Sequence, residues 1–359
     1  MLFDPLIPPP LLTGNLPGIG GIIKQVPEDF EVEEIPAYEP CGTGPYLYLW
    51  MEKRGVGAEF FTRQIARRLD IPVQEIGTAG LKDRQAVTRQ MVSVPESCAE
   101  RLDQIEGDGI RLLRVSRHGN KLKPGHLHGN KFRILIREPV PEALELLPPL
   151  LAQLQALGLP NFYGPQRFGR EGETVLLGLE LLRGGKQTGP DGSQPRVPRN
   201  PFLRKLALSA AQSALFNHSL ACRLADGLLR QVLEGDVMAK WPFGGMFLAQ
   251  DLEVEQRRFE ARETVHAGPI FGRKTFAAAG IAAAREAAVL ADGYLTPANF
   301  CRFGKLLQGT RRHNLIYLDG LHALAETEGI RLSFSLPAGS YATVLLREVM
   351  KIQALDTDA

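Results

Sequence analysis

Short runs in the first third of the chain alternate apolar and polar residues, as β-strands with one buried face do. In 30–35, Phe30 and Val32 fall on alternate positions and are separated by glutamates, so their side chains share one face of an extended chain. The segment 46–51, YLYLWM, is more apolar and predicts a more buried strand. We predict a third strand in 86–94, where β-branched residues alternate until a proline ends the run.

Other segments carry the period of an amphipathic helix. In 58–69, Phe61, Ile65 and Leu69 are four residues apart and arginines occupy the other faces. Leucine- and alanine-rich patterns predict further helices at 139–157, 206–229, 276–290 and within 336–351. A late alternating run, 329–336, predicts one more strand, and no internal repeat of fixed period is present.

The amino-acid composition of the chain changes from about residue 161 onward. The segment 161–171, NFYGPQRFGRE, is aromatic, basic and glycine-rich, and 182–201 is polar and rich in glycine and proline. Such a composition predicts a long mobile loop at 182–201. Between 241 and 302 short elements are mixed, which gives no single pattern.

Composition restricts the class of protein. The chain has 359 residues, 44% of them hydrophobic, which is enough for one large domain or two moderate ones. The formal net charge of +2 excludes a uniformly basic nucleic-acid binder. We expect a soluble cytoplasmic protein, because no run of 18 apolar residues and no positively charged signal start is present. The four cysteines are far apart, so we expect reduced thiols and no zinc site: Cys41, Cys98, Cys222 and Cys301.

One segment concentrates positive charge. The basic strip, defined as residues 111–137, holds eight Lys or Arg, three His and no acidic residue. We expect it to contact RNA phosphates, and the alternative is a solvated face. His126 and His128 are two residues apart, but no third ligand is near, so we expect no metal there.

The segment GLKDRQAVTRQ (80–90) places one carboxylate, Asp83, between Lys82 and Arg84 on a short loop that leads into the third predicted strand. Taken locally, Asp83 is either a solvated turn residue or an ionised group presented by the loop. At this loop the sequence resembles the signature of the TruD family of tRNA pseudouridine synthases. The resemblance extends to five further segments in family order: 23–34, 117–138, 160–169, 206–217 and 336–348.

The resemblance implies an α+β fold. A pseudouridine synthase catalytic domain, with a mixed and largely antiparallel sheet flanked by helices, is expected from residues 1–159 together with 304–359. A large inserted α/β domain, the TRUD domain, is expected from residues 160–303. Family members isomerise a uridine in tRNA, typically at position 13 in the D-arm, to pseudouridine, and they use no cofactor and no metal. The expected partner is therefore tRNA, and we expect a monomer.

The resemblance also implies site residues. Asp83 corresponds to the essential catalytic aspartate, Lys24 to a lysine beside the active site, and Asn130 and Phe132 to a pair that contacts the target uridine. The alternatives from the residues alone are a solvated strand lysine for Lys24, a residue that caps a hairpin turn after Gly129 for Asn130, and an ordinary core residue for Phe132. The chemistry leaves two roles open for the aspartate: attack on C1′ of the ribose as a nucleophile, or removal of the C2′ proton as a general base.

Four more basic residues complete the predicted substrate-binding set. Lys82 and Arg84 are expected to point away from the neighbouring aspartate and hold phosphates, since adjacent residues of an extended segment face opposite sides. Lys121 belongs to the basic strip, and Arg167 is expected to contact RNA or the other domain.

Two other functions fit parts of the sequence. A non-catalytic RNA-binding or RNA-remodelling module would use the basic strip equally well, but it needs no carboxylate at the loop. A ribosyl-transferring hydrolase of the retaining kind would need a second carboxylate, and Glu28 is the candidate for that role.

Overall fold

The protein is described by a computed structural model that covers residues 3–184 and 200–352, so most of the loop predicted at 182–201 lies outside the described residues. The strands are β1 (Phe30–Pro36), β2 (Tyr46–Arg54), β3 (Gly77–Thr78), β4 (Val87–Pro95), β5 (Ile110–His118), β6 (Leu127–Arg137), β7 (Leu159–Pro160), β8 (Val237–Lys240), β9 (Met246–Leu248), β10 (Thr264–Ile270), β11 (Thr310–His313), β12 (Leu315–Ile316), β13 (Asp319–Glu326) and β14 (Gly329–Pro337). The helices are α1 (Ala58–Leu69), α2 (Ala143–Leu157), α3 (Glu173–Arg183), α4 (Pro201–Ala225), α5 (Leu252–Glu260), α6 (Gly280–Asp292), α7 (Pro297–Cys301) and α8 (Ala342–Met350).

The chain forms two compact units. The first unit takes its described residues from Met1–Asn15, Ala156–Tyr317 and Thr343–Glu348, and the second from Leu16–Gln155, Leu318–Ala342 and Val349–Ala359. The domain division at 159/160 and 303/304 stays a prediction. Across the described ranges, no helix is both long and apolar enough to cross a membrane.

The second unit is built on one large sheet. Its strands follow the order β13-β14-β6-β1-β4-β2-β5, with β3 paired to β4. All the pairs along this order are antiparallel except β1 with β4. This is the mixed, largely antiparallel sheet expected for the fold, and the α+β class is confirmed.

The strand register brings residues from five strands into one row across this sheet. Lys53 is paired with Thr88, Thr88 with Val32, Val32 with Phe132, and Phe132 with Phe334. Paired residues place their side chains on the same side of a sheet. We call this side the site face.

Helix α1 covers the site face over β2 and β4. Leu49 and Met51 of β2 pack with Phe61, Ile65 and Leu69 of α1 in one buried cluster. The periodicity of 58–69 predicted this helix with its correct bounds, because its apolar stripe is matched by an apolar stretch of sheet.

The first unit has a smaller antiparallel sheet of order β11-β10-β8-β9 and a two-stranded pair, β12 with β7. Helix α4 packs against α3 so closely that a Cβ on Gly178 would lie 1.9 Å from the carbonyl oxygen of Ala207. Small residues at this crossing let the two backbones approach, and they explain how α4 is buried along much of its length.

The predicted elements are largely present, with shifted ends. The strand predicted at 329–336 is β14, and the leucine-rich helix predicted at 139–157 begins only at Ala143. The helix expected at 206–229 starts five residues earlier and stops at Ala225. Prolines at 139 and 141 account for the late start of α2, since proline disfavours helical backbone in the residue before it.

Candidate active site

Asp83 lies on the loop between β3 and β4 and is exposed. Within the described residues its carboxylate has no hydrogen bond and no close ion pair, whereas its backbone is held. The N–H of Ala86 donates to the carbonyl of Arg84 over 2.9 Å, which turns the chain tightly into β4. The loop therefore presents a free carboxylate from a fixed backbone.

The side chain of Lys53 holds the backbone of this loop through hydrogen bonds. The residue is fully buried, with 0% of its surface exposed. Its Nζ donates to the carbonyl oxygens of Val56 at 2.5 Å, Asp83 at 2.7 Å and Lys82 at 3.3 Å. Burial lowers the pKa of Lys53 to about 8, and the nearby Asp83 charge opposes this shift.

Lys82 turns inward and not toward solvent. Its ammonium lies 3.0 Å from Glu34 Oε2, and the two side chains are only 5% and 1% exposed. The same ammonium donates to Asn130 Oδ1 over 2.8 Å. The contact between Lys82 and a phosphate stays a prediction. In this structure the ammonium of Lys82 contacts Glu34 and Asn130.

Glu34 is a buried carboxylate on the site face, opposite Asn130 in the pairing of β1 with β6. Burial raises its pKa, and the neighbouring Lys82 opposes that rise. Its second oxygen accepts a long hydrogen bond of 3.5 Å from the N–H of Met91. Glu34 thus joins the loop to the centre of the sheet.

Lys24 lies on a left-handed backbone turn, with φ of +60°, which is uncommon for a residue with a side chain. Its Nζ is 4.4 Å from the centre of the Phe30 ring, a cation–π contact. Phe30 in turn meets Phe132 edge to face, with ring centres 6.2 Å apart. Lys24 is therefore connected to the site face through these two rings.

Phe132 and Asn130 lie within β6, two residues apart and on the same side of the sheet. Phe132 is 8% exposed and stacks on Phe334 with ring centres 5.2 Å apart. The alternative of a turn residue for Asn130 is wrong, since the strand continues through Gly129. A Cβ on Gly129 would lie 2.2 Å from the carbonyl oxygen of Leu336, so glycine lets β14 approach here.

The remaining predicted substrate-binding residues lie in different places. Arg84 is exposed and has no hydrogen bond or ion pair within the described part of the chain. Lys121 donates to the carbonyl of Gln74 and lines a cavity of about 390 Å³ together with Tyr38, Glu39, His118, Asn120, Lys123 and His126. Arg167 belongs to the first unit, where it donates to Ser209 and Ser213 and lies 5.7 Å from the Tyr163 ring centre.

The basic strip is less free than its composition indicates. Five of its eight cations pair with carboxylates of other segments: Arg111, Arg117, Lys131, Arg133 and Arg137. Alternating glutamates of β1, such as Glu31 and Glu33, supply several of these partners across the strand pairs. Lys131 and Arg133 thus form ion pairs with β1 on the side of the sheet opposite the site face.

Among the described residues, one group of side chains has the donors to hold a metal ion. His218, Cys222 and Asp292 place their ligand atoms within 4.8 Å of one another in the first unit. His218 Nε2 already shares a 2.8 Å hydrogen bond with Asp292, and burial raises the pKa of the Cys222 thiol. A neutral Cys222 thiol next to a histidine that is hydrogen-bonded to Asp292 explains this group without a metal ion. His126, from the pair considered in the sequence, instead bonds Tyr38 through Nδ1 over 2.7 Å.

Two residues of the site were missed by the sequence analysis, Lys53 and Glu34. Each continues an alternating series of buried side chains: Phe30 and Val32 precede Glu34, as Met51 precedes Lys53. A charged residue at an inward position of a strand is the signal that identifies such groups. Glu28, the candidate second acid, forms a surface ion pair with Arg54, which lowers the pKa of that carboxyl.

Comparison with known proteins identifies the family. The sequence profile of tRNA pseudouridine synthase D (TruD) matches residues 10–189 and 193–349. A tRNA pseudouridine synthase D of Anaeromyxobacter sp. (strain Fw109-5) is 44% identical over 96% of this chain and 97% of its own length. One of Thermus thermophilus is 43% identical over 97% of this chain and 93% of its own length.

A solved structure has the same fold. The crystal structure of the putative tRNA pseudouridine synthase D from Methanosarcina mazei superposes with a TM-score of 0.78 and 26% identity, and 96% of each chain is covered. The match over nearly the whole length confirms the resemblance first noted at the loop of Asp83. The chain belongs to the tRNA pseudouridine synthase D (TruD) family, whose members are isomerases.

Proposed function

We propose that this protein isomerises a uridine of tRNA to pseudouridine, at position 13 in the D-arm, with Asp83 as the catalytic carboxylate. The observation that carries the proposal is the free carboxylate of Asp83 on a loop whose backbone carbonyls are held by Lys53. A binding module has no need of a buried lysine under an exposed aspartate. Family membership supports the reaction class, and the loop geometry supports the residue.

The reaction breaks the bond from C1′ to the base nitrogen, turns the uracil, and joins C1′ to a base carbon, which loses its proton while the released nitrogen gains one. Asp83 serves this chemistry either by attack on C1′ or by taking the C2′ proton. Both roles need a carboxylate that is held in place and not neutralised by a direct partner. The absence of a close ion pair to Asp83 among the described residues meets the second need.

Asn130 and Phe132 are the proposed contacts to the target uridine. Because Asn130 Oδ1 accepts a hydrogen bond from Lys82, the amide is oriented with its Nδ2 group left to donate. A ribose hydroxyl or a uracil carbonyl is a suitable acceptor. Phe132 offers an apolar ring to a base that must leave the RNA stack and turn during the reaction.

Lys24 is proposed to lie beside the reacting nucleotide. Its ammonium is placed over Phe30, one ring away from Phe132. Since the described protein supplies a π face there and no carboxylate partner, the charge is free to attract a phosphate or the developing negative charge on the base.

The RNA backbone is proposed to meet cations that lack carboxylate partners among the described residues. Arg84 on the catalytic loop, Lys121 and Lys123 beside the 390 Å³ cavity, and Arg167 in the first unit are these candidates. Phosphate contacts of this kind set affinity and register, not sequence choice. The cytoplasmic location and the monomeric state stay predictions.

The test is chemical mapping of pseudouridine in unmodified tRNA incubated with wild-type protein and with Asp83→Asn. Asp103→Asn is the matched control, because Asp103 is another exposed aspartate of the same unit. We expect one new site in the D-arm with the wild type and the control, none with Asp83→Asn, and tRNA binding in all three. Activity retained in Asp83→Asn would refute the assignment of the catalyst, and a site outside the D-arm would refute the position.

A further inference from the structure

Lys53 is a charged residue where an apolar one would fit. It is 0% exposed and continues the inward series of β2 behind Met51. On neighbouring strands it is paired with Thr88 of β4 and Ile110 of β5. Burying an ammonium costs free energy that a methionine or leucine at this position would avoid, so stability alone does not explain the lysine.

We propose that the protonated side chain of Lys53 is the positioning residue of the catalytic loop, holding the Asp83 backbone at a fixed place relative to the end of β2. This inference rests on the proposed catalytic role of Asp83. The three acceptors belong to two segments: Val56 follows β2, while Lys82 and Asp83 belong to the loop. One ammonium therefore ties the loop to the rigid sheet.

The number of protons on the amine decides whether this arrangement persists. An ammonium has three N–H groups, one for each carbonyl oxygen, and a neutral amine has two N–H groups and a lone pair. On losing its proton, Lys53 leaves one carbonyl without a donor. The charged groups that face it are Asp83, which favours the protonated form, and Lys82, which disfavours it.

The titration falls within reach of an activity assay. The pKa of Lys53 is lowered to about 8 by burial, so the ammonium form dominates at pH 7 and the amine at pH 9. If loop position limits the chemical step, the turnover of the wild type falls through this range. Misplacement of a catalytic group by about 1 Å costs on the order of 100-fold in rate.

The experiment compares Lys53→Met and Lys53→Gln with the wild type in single-turnover assays on tRNA between pH 7 and 9. Met51→Leu is the matched control, because Met51 is equally buried on the same strand and face and donates no hydrogen bond to the loop. We expect both Lys53 variants to lose about tenfold or more of the rate at pH 7, with tRNA affinity within about threefold of the wild type. We expect their pH profiles to be flat where the wild-type and Met51→Leu profiles fall.

Thermal unfolding at each pH separates lost positioning from lost folding. A Lys53→Met protein that is folded and as active as Met51→Leu overturns the inference. If neither Lys53 variant folds, the wild-type profile decides: a turnover that stays level from pH 7 to 9 overturns the inference, and a fall that is centred near 8 supports it. Asp83→Asn is measured in parallel, so that an active Asp83→Asn refutes the proposed function while an active Lys53→Met refutes only the role of Lys53.

Discussion

The ammonium of Lys82 lies 3.0 Å from Glu34 Oε2, and both side chains are almost completely buried. The pair links the catalytic loop to β1, and the bond from Lys82 to Asn130 links it to β6. A loop residue beside Asp83 is thus fixed to β1 and to β6, the strand that carries both predicted uridine contacts, Asn130 and Phe132. The loop has a second attachment through the Asp83 backbone, at Lys53.

Removing one partner of this buried pair is expected to destabilise the protein. Lys82→Met leaves the Glu34 carboxylate buried without a cation, which costs about 3–5 kcal/mol when the pair is fully buried. The double variant Lys82→Met/Glu34→Gln is expected to recover part of that loss, because no uncompensated charge remains. Urea unfolding of the four proteins in this cycle measures the coupling.

The surface pair Arg63–Glu59 on α1 is the control for that cycle. Both of its side chains are more than half exposed, so its coupling is expected to be about 0.3–0.5 kcal/mol. Equal coupling in the two cycles would contradict the importance of burial for Lys82 and Glu34. In the activity assay, Lys82→Met is also expected to slow turnover, since Asn130 loses the donor that orients its amide.

Phe132 is expected to act on the base and not only on the core. Phe132→Leu removes the flat ring while keeping an apolar side chain, and base stacking on an aromatic ring is worth about 1–3 kcal/mol. Turnover is therefore expected to fall by about tenfold or more. Phe61→Leu, a fully buried phenylalanine on the same side of the sheet, is the control.

Both leucine variants are expected to lose stability, since each removes buried apolar volume. The interpretation of Phe132 as an ordinary core residue predicts that the two variants also keep similar turnover. A selective loss of turnover in Phe132→Leu, with unfolding curves that match those of Phe61→Leu, supports its contact with the uridine.

Affinity for tRNA is expected to depend on the unpaired cations. Lys123 is exposed beside the 390 Å³ cavity, whereas Arg133 is paired with Glu31 at 3.6 Å. Lys123→Ala is expected to weaken binding and to reduce the slope of log affinity against log salt by about one. Arg133→Ala is expected to change neither the affinity for tRNA nor the salt slope. A larger effect in Arg133→Ala than in Lys123→Ala would show that RNA binds the ion-paired part of the basic strip instead.

The sequence was sufficient for elements whose signals are local. Helix α1 follows from its own apolar period, and β14 from its own alternation. The start of α2 was misplaced because the leucine-rich run was extended back through Pro139 and Pro141, each of which disfavours helical backbone in the residue before it. Local patterns predict which segments are regular, and they are weakest at the ends of those segments.

The candidate site depends on pairings that no local pattern contains. The loop motif identified Asp83, but the direction of Lys82 depends on Glu34, which lies far before it in the chain, on β1. The expected contact of the basic strip with RNA stays a prediction, but the carboxylates that pair with Lys131 and Arg133 lie on another strand and are not visible in the sequence of the strip itself. A charge can be classified as free or paired only when the neighbouring strand is known.

Acid is expected to weaken the first unit through His266, which is buried, and His313, which is half-buried. Burial lowers the pKa of His266 to about 3 and that of His313 to about 4, from an ordinary value near 6.5. His266 is bonded at both nitrogens, through Nε2 to the carbonyl of Leu229 and through Nδ1 to Asn314. The folded state therefore keeps these rings neutral while the unfolded chain takes up protons.

Since the unfolded state binds more protons between pH 6.5 and the folded pKa values, the free energy of unfolding falls as pH falls below about 6.5. Each histidine contributes up to about 1.4 kcal/mol per pH unit in that window.

Trp241 lies in the first unit and Trp50 in the second, so urea unfolding of a Trp50→Phe background reports on the first unit by fluorescence. His313→Gln in that background is expected to flatten the pH slope, whereas His322→Gln, at an exposed histidine, is expected to leave it unchanged. Equal slopes in the two variants would show that His313 does not carry the acid sensitivity.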